Sequence, residues 1–124
     1  MKNIDIKGLD VKKGLSIVAN NKIVYSKLLK SFVNNAFCDQ LIEAINSGDM
    51  DQVSKKAHAF KGVAGNMHMD ELFELCRSIE IDAKKGILVS LSDDKVAKII
   101  DANKNTMESI NMLLENPGII DSIE

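Results

Sequence analysis

His58 and Lys61 stand three residues apart in Ala57-His58-Ala59-Phe60-Lys61-Gly62-Val63-Ala64-Gly65-Asn66, and few other residues in this 124-residue chain could do chemistry. Placed on a helix at about 100° per residue, Val53, Ala57, Phe60, Val63, Ala64 and Met67 fill an apolar arc of roughly 120°. His58 then points about 160° from the middle of that arc, with Ser54, Lys61, Gly62 and Gly65 within about 60° of it. An exposed imidazole is largely neutral at cellular pH, so a ring nitrogen offers its lone pair as a nucleophile. Lys61, one turn on, can reach a charged group attached to that nitrogen and offset its negative charge. Gly62 and Gly65 each cost about 1 kcal/mol against alanine inside a helix. Close approach of a partner's backbone or of a phosphoryl group would account for them. Helix–helix packing would too, but both glycines fall opposite the apolar arc, which disfavours it. Lys55 and Lys56 add positive potential nearby. A histidine on a helix is most often an ordinary surface or capping residue, and a lysine three residues on is common. The two glycines on the histidine's own face are what favour function.

Other chemistries find little support. His58 and His68 are ten residues apart, which does not aim two ligands from one helix at one metal, and no HExxH or Glu-x-x-His pair occurs. No G-x-S-x-G elbow and no glycine-rich phosphate loop is present. A net charge of −2, a pI near 5.7 and only four Phe and one Tyr argue against nucleic-acid binding. Cys38 and Cys76 sit far apart in apolar-periodic segments and read as two buried reduced thiols, a disulfide or metal role being the lesser alternative. No run of eighteen apolar residues and no signal segment at Met1-Lys2-Asn3-Ile4-Asp5-Ile6 is seen, so a cytoplasmic domain without membrane contact is expected.

The elements that must position His58 follow from periodicity and punctuation. One proline and seven glycines fall mostly between helical patterns, and no segment alternates cleanly for six residues, so the chain reads as all-α. Asp10 caps a short helix with Val11, Leu15 and Val18, ending at Asn20-Asn21. A second stretch from Lys22 carries Ile23, Val24, Leu28, Leu29, Phe32 and Val33, bends at Asn34-Asn35, and resumes as Phe37, Leu41, Ala44 and Ile45 until Ser47-Gly48. Asp49, with Gln52, caps the helix of about Met50 to Met67 that bears His58. Asp70 opens a further helix with Leu72, Phe73, Leu75, Cys76, Ile79 and Ala83 inward, ending near Gly86. Ser92 is expected to cap the last long helix, whose stripe is Val96, Ile99, Ile100, Asn103, Met107, Ile110 and Leu114, with Asn103 its one polar member. Pro117-Gly118 ends it. Short connections predict one domain over 1–124, an antiparallel up-and-down four-helix bundle with a short N-terminal helix. Residues 1–9 read as an extension or linker and 117–124 as a C-terminal tail, loose from Ile119 to Glu124.

The stretch Ala57-His58-x-Phe60-Lys61-Gly62-x-Ala64-x-Asn66-Met67 resembles the signature of histidine-containing phosphotransfer (HPt) domains, usually A-H-x-L-K-G-x-A-x-N-L-G. Gly14-Leu15, Tyr25, Leu28-Leu29, Phe32 and Ser47-Gly48-Asp49 upstream extend the likeness. So do Leu72 and the Cys76-to-Glu80 turn downstream, and the whole runs from about Asp10 to Gly86. The resemblance implies that His58 takes a phosphoryl group from a receiver-domain aspartyl phosphate and passes it to another receiver domain. Lys61 would steady the phosphohistidine, Gly62 would keep the path clear, and Ser54, Lys55 and Gly65 would belong to the docking face. It implies no kinase activity, no cofactor of its own, Mg²⁺ in the partner receiver, and a monomer serving receiver domains and a hybrid sensor histidine kinase. The chain would be free-standing or the kinase's terminal module. One position departs from the pattern: His68 stands where glycine is usual, and reads as structural, with an alternative phosphate site the lesser reading. A helical adaptor that binds receivers without carrying phosphate is the other functional class.

Overall fold

The structure, a computed structural model, describes residues 6–123. Every regular element among these residues is helical: α1 (Val11–Ile17), α2 (Lys22–Asn35), α3 (Phe37–Ser47), α4 (Met50–Asn66), α5 (Asp70–Lys84), α6 (Asp94–Glu115) and α7 (Pro117–Asp121). Side-chain caps begin three of them. Asp10 Oδ1 accepts from the Lys13 N–H at 3.1 Å, Asn21 Oδ1 from Val24 at 3.1 Å, and Asp49 Oδ1 from Asp51 and Gln52 at 3.1 and 3.3 Å. Gly48 and Gly86, at φ +78° and +74°, end α3 and the turn after α5 in the left-handed region. The bend expected at Asn34-Asn35 falls at Ala36, whose φ of +48° separates α2 from α3.

Helix α4 packs between α3 and α5, while α6 lies against α5, α2 and α3. Phe32, Phe37 and Phe60, one from each of α2, α3 and α4, set their ring centroids 5.8 to 6.1 Å apart and join these helices in one core. Cys38 and Cys76 are buried and unbridged, and burial, its effect added to by Asp39, pushes the Cys38 thiol up to about 11. No helix among the described residues is long and apolar enough to cross a membrane.

Several expectations are corrected. On α2 the buried residues are Tyr25, Leu29 and Phe32, whereas Ile23 is 72% exposed and Val24 and Leu28 also face out. The cap of α6 is Asp93 rather than Ser92, and Asp93 Oδ2 accepts from the Ser90 N–H instead of capping its own helix. The buried face of α6 runs through Val96, Ile99, Ala102, Thr106, Ser109, Ile110 and Leu113, while Ile100 is exposed. The reason is the segment before α1. The single Thr106 Oγ1 proton is shared between the Ala102 carbonyl at 2.9 Å and the Gly8 carbonyl at 3.3 Å, Ser109 Oγ donates to the Lys7 carbonyl at 2.8 Å, and Leu9 enters the core. Residues 6–9 are thus strapped across α6, while 1–5 of the expected extension lie outside the described residues. The tail is not loose either, since α7 buries Ile120 and the Asp121 carbonyl accepts from Lys22 Nζ at 2.8 Å.

Candidate functional site

Helix α4 is anchored by Val53, Ala57, Phe60 and Ala64, all fully buried against its neighbours, which turns the opposite face to solvent. His58 stands there with its side chain 68% exposed. Its Nδ1 lies 2.8 Å from Glu80 Oε2 on α5. Lys61 Nζ sits 2.6 Å from Glu80 Oε1, and Lys84 Nζ 3.1 Å from Oε2. Glu80 therefore gathers three donors from two helices while its own side chain is only 3% exposed.

Burial by itself would raise the Glu80 carboxyl, but hydrogen bonds from Lys61, Lys84 and His58, together with the charge of Lys61, bring it down to about 2. An ionised carboxylate can only accept, so the bond to His58 assigns the ring proton to Nδ1. The Nε2 lone pair is then the free one, and among the described residues Nε2 has no hydrogen-bond partner. The arrangement leaves an exposed imidazole lone pair close to a carboxylate that holds two ammonium groups.

Sequence reasoning placed Glu80 in the downstream helix but assigned it no task. It follows Ile79 and lies four residues after Cys76, so it borders the buried stripe of α5, and a carboxylate at that edge is the signal that could have found it.

Ser54, one turn before His58, is half-buried. Lys55 is paired with Asp51 at 3.0 Å, and Lys56 donates to Gln40 Oε1 at 3.2 Å. A Cβ on Gly62 would meet nothing within 4 Å. A Cβ on Gly65 would come 3.0 Å from Phe73 Cδ1. Gly65 is thus turned to α5, which corrects the expectation that it lies opposite the packing face. The departure at His68 is accommodated as φ +55°, with Met69 N–H bonded to the Ala64 carbonyl and His68 N–H to that of Gly65. That pair of bonds is a Schellman motif closed by a residue other than glycine. Between α1, α2 and α4 lies a cleft of about 360 Å³ lined by Ile17, Leu28, Val63 and Asn66, and by Tyr25, whose buried hydroxyl has no partner among the described residues. Among the described residues no three His, Cys, Asp or Glu side chains gather as metal ligands.

A sequence profile of the Hpt domain matches residues 34–110, more than half of the chain and including all of α4 and α5. The chain belongs to the Hpt domain family. Membership supports a phosphotransfer role in two-component signalling, as a phosphocarrier module rather than a kinase. The fold is also similar to the crystal structure of the HPt domain from a sensor hybrid histidine kinase of Shewanella. The TM-score is 0.78 over 90% of this chain and 97% of that one, at 15% sequence identity. No curated protein matches the sequence.

Proposed function

We propose that this HPt domain is a phosphorelay intermediate, with His58 taking a phosphoryl group from a receiver-domain aspartyl phosphate and handing it to another receiver domain. The observation that carries this reading is the Nδ1–Glu80 bond at 2.8 Å, which leaves the exposed Nε2 as the nucleophile. In the transfer the acyl O–P bond breaks and the Nε2–P bond forms, with the partner's aspartate leaving as a carboxylate. Attack leaves the imidazole ring cationic, because Nδ1 keeps its proton. The ionised Glu80 faces that cation and holds it, and a cationic ring is also the better leaving group for onward transfer. Lys61 offsets charge on the phosphoryl group, and the open space at Gly62 admits the partner. The exposed apolar side chains beside the cleft, Ile17 and Leu28, suit a docking receiver. Mg²⁺ and the remaining electrophilic help belong to the receiver. On this reading the domain works in the cytoplasm as a monomer, with a hybrid sensor histidine kinase upstream.

Incubation with a phosphorylated receiver domain tests it. The expected result is an acid-labile, base-stable label that His58→Gln abolishes and His68→Gln leaves in place. The reverse pattern moves the site to His68. Receiver binding that His58→Gln leaves unchanged, with no label on the native chain, makes the domain an adaptor instead.

A further inference from the structure

We infer that Lys84 is a second phosphate-binding lysine, parked on Glu80 until His58 is loaded. The inference rests on the phosphocarrier reading and adds a residue to it. Lys61 and Lys84 both pair with Glu80, but not equivalently. Lys61 is 24% exposed and bonds Oε1 at 2.6 Å, an oxygen it shares with no other side chain among the described residues. Lys84 is 62% exposed and reaches Oε2 at the longer distance of 3.1 Å, the oxygen that also accepts from His58 Nδ1. Lys84 is therefore the ammonium group that moves at less cost, and its shared acceptor keeps it on the His58 side of the carboxylate.

Charge decides what happens on loading. Two lysines and one carboxylate leave a single positive charge around a neutral imidazole. A phosphoryl group brings about two negative charges at neutral pH, placing a second anion beside Glu80. Two anions then share two lysines and the cationic ring, whose Nδ1–H competes with Lys84 for Glu80 Oε2. Lys61, tighter and less exposed, keeps its bond to Glu80 Oε1 and offsets the phosphoryl charge from there, while Lys84 swings to the phosphoryl oxygens. Lys55, Lys56 and Arg77 already have partners, in Asp51 at 3.0 Å, Gln40 at 3.2 Å and Glu74 at 3.0 Å. A lysine in the last turn also suits the helix dipole of α5, so a test must separate phosphate binding from a merely structural part.

The test loads the full chain with potassium phosphoramidate. Its N–P bond breaks as the Nε2–P bond to His58 forms, and its acidic proton leaves with the ammonia. Phospho-His58 is then titrated by ³¹P NMR, because a nearby cation lowers the midpoint of the phosphoryl group's last ionisation. Lys84→Gln is expected to raise that midpoint by about 0.7 pH unit, a fivefold change in proton affinity at the upper end for one exposed charge pair. Lys84→Met, which keeps the aliphatic stem, should do the same, and Lys84→Arg should restore the native value. A purely structural lysine would lower the urea midpoint without moving the ³¹P titration. If His58 labels and both neutral variants titrate like the native chain, Lys84 does not bind the phosphate and the carrier reading stands. If mass spectrometry finds no label on His58, the carrier reading fails and Lys84 loses its part with it.

Discussion

A carboxylate taken almost wholly out of water destabilises a fold unless its oxygens are paired, and Glu80 meets that condition with two lysines and a histidine. The sign of its pH effect follows from its folded value, which is lowered from 4.5 to about 2. A carboxyl depressed by folding contributes stability that is complete above its unfolded value and lost as pH falls through the folded one. The window is therefore about pH 4.5 down to 2. With Lys84 and His58 open to solvent, the screened contribution is on the order of 2 kcal/mol. Urea midpoints measured from pH 7 to pH 2.5 should fall more steeply for the native chain than for Glu80→Gln. Parallel curves would remove Glu80 from the acid response. The same substitution makes the partner of Nδ1 an amide that can either donate or accept. The imidazole ¹⁵N shifts should then show a mixture of tautomers where the native chain shows one.

At the scale of the element, α4 carries two glycines whose surroundings differ. Gly62 faces open space, so its replacement meets no neighbour, and Gly62→Ala should stabilise the fold by about 1 kcal/mol through helix propensity alone. Gly62→Leu should also leave the fold intact but slow transfer from a receiver, because the side chain would stand in the partner's path. Gly65 lies against Phe73, and Gly65→Leu should cost about 1–3 kcal/mol by forcing α4 and α5 apart. Denaturation of the three variants beside their transfer rates separates access from packing. Equal stability effects at the two positions would contradict the assignment. The end of α4 shows how far a local rule can bend. His68 occupies the left-handed position that glycine adopts without strain, at a cost of roughly 1–2 kcal/mol for a residue with a Cβ. Two backbone bonds and the Asp10 N–H on the His68 carbonyl at 3.1 Å hold it there.

Across the whole molecule, residues 6–9 and α7 close the structure around α6 and α2. Residues 6–9 cover Thr106 and Ser109, which is why two hydroxyl residues sit on a core-facing stripe without leaving unpaired groups. Helix α7 adds Ile120, only 2% exposed, and the Lys22–Asp121 bond. A chain ending at Asn116 should lose about 2–3 kcal/mol, the burial of one isoleucine side chain and its contacts. Urea denaturation measures this, and an unchanged midpoint would mean that α7 only rests on the surface. The site is not independent of these closures, since the Asp10–His68 bond ties the N-terminal segment to the end of the helix that carries His58.

What the sequence determined by itself is the local part. The caps at Asp10 and Asp49 and the stop at Gly48 are decided within a few residues, and so is the division of α4 into a buried arc and a face bearing His58. The signature around His58 also pointed to the family that the profile match shows. Tertiary structure decided what depends on how each helix is rotated and what lies across from it. Periodicity narrows that rotation only to a broad arc, so α2 turned Tyr25 inward in place of Ile23, and α6 turned Thr106 inward in place of Ile100. The same freedom brought Gly65 onto Phe73. It also carried Glu80, 22 residues along the chain, to within 2.8 Å of His58 Nδ1, a contact that no spacing on either helix alone encodes.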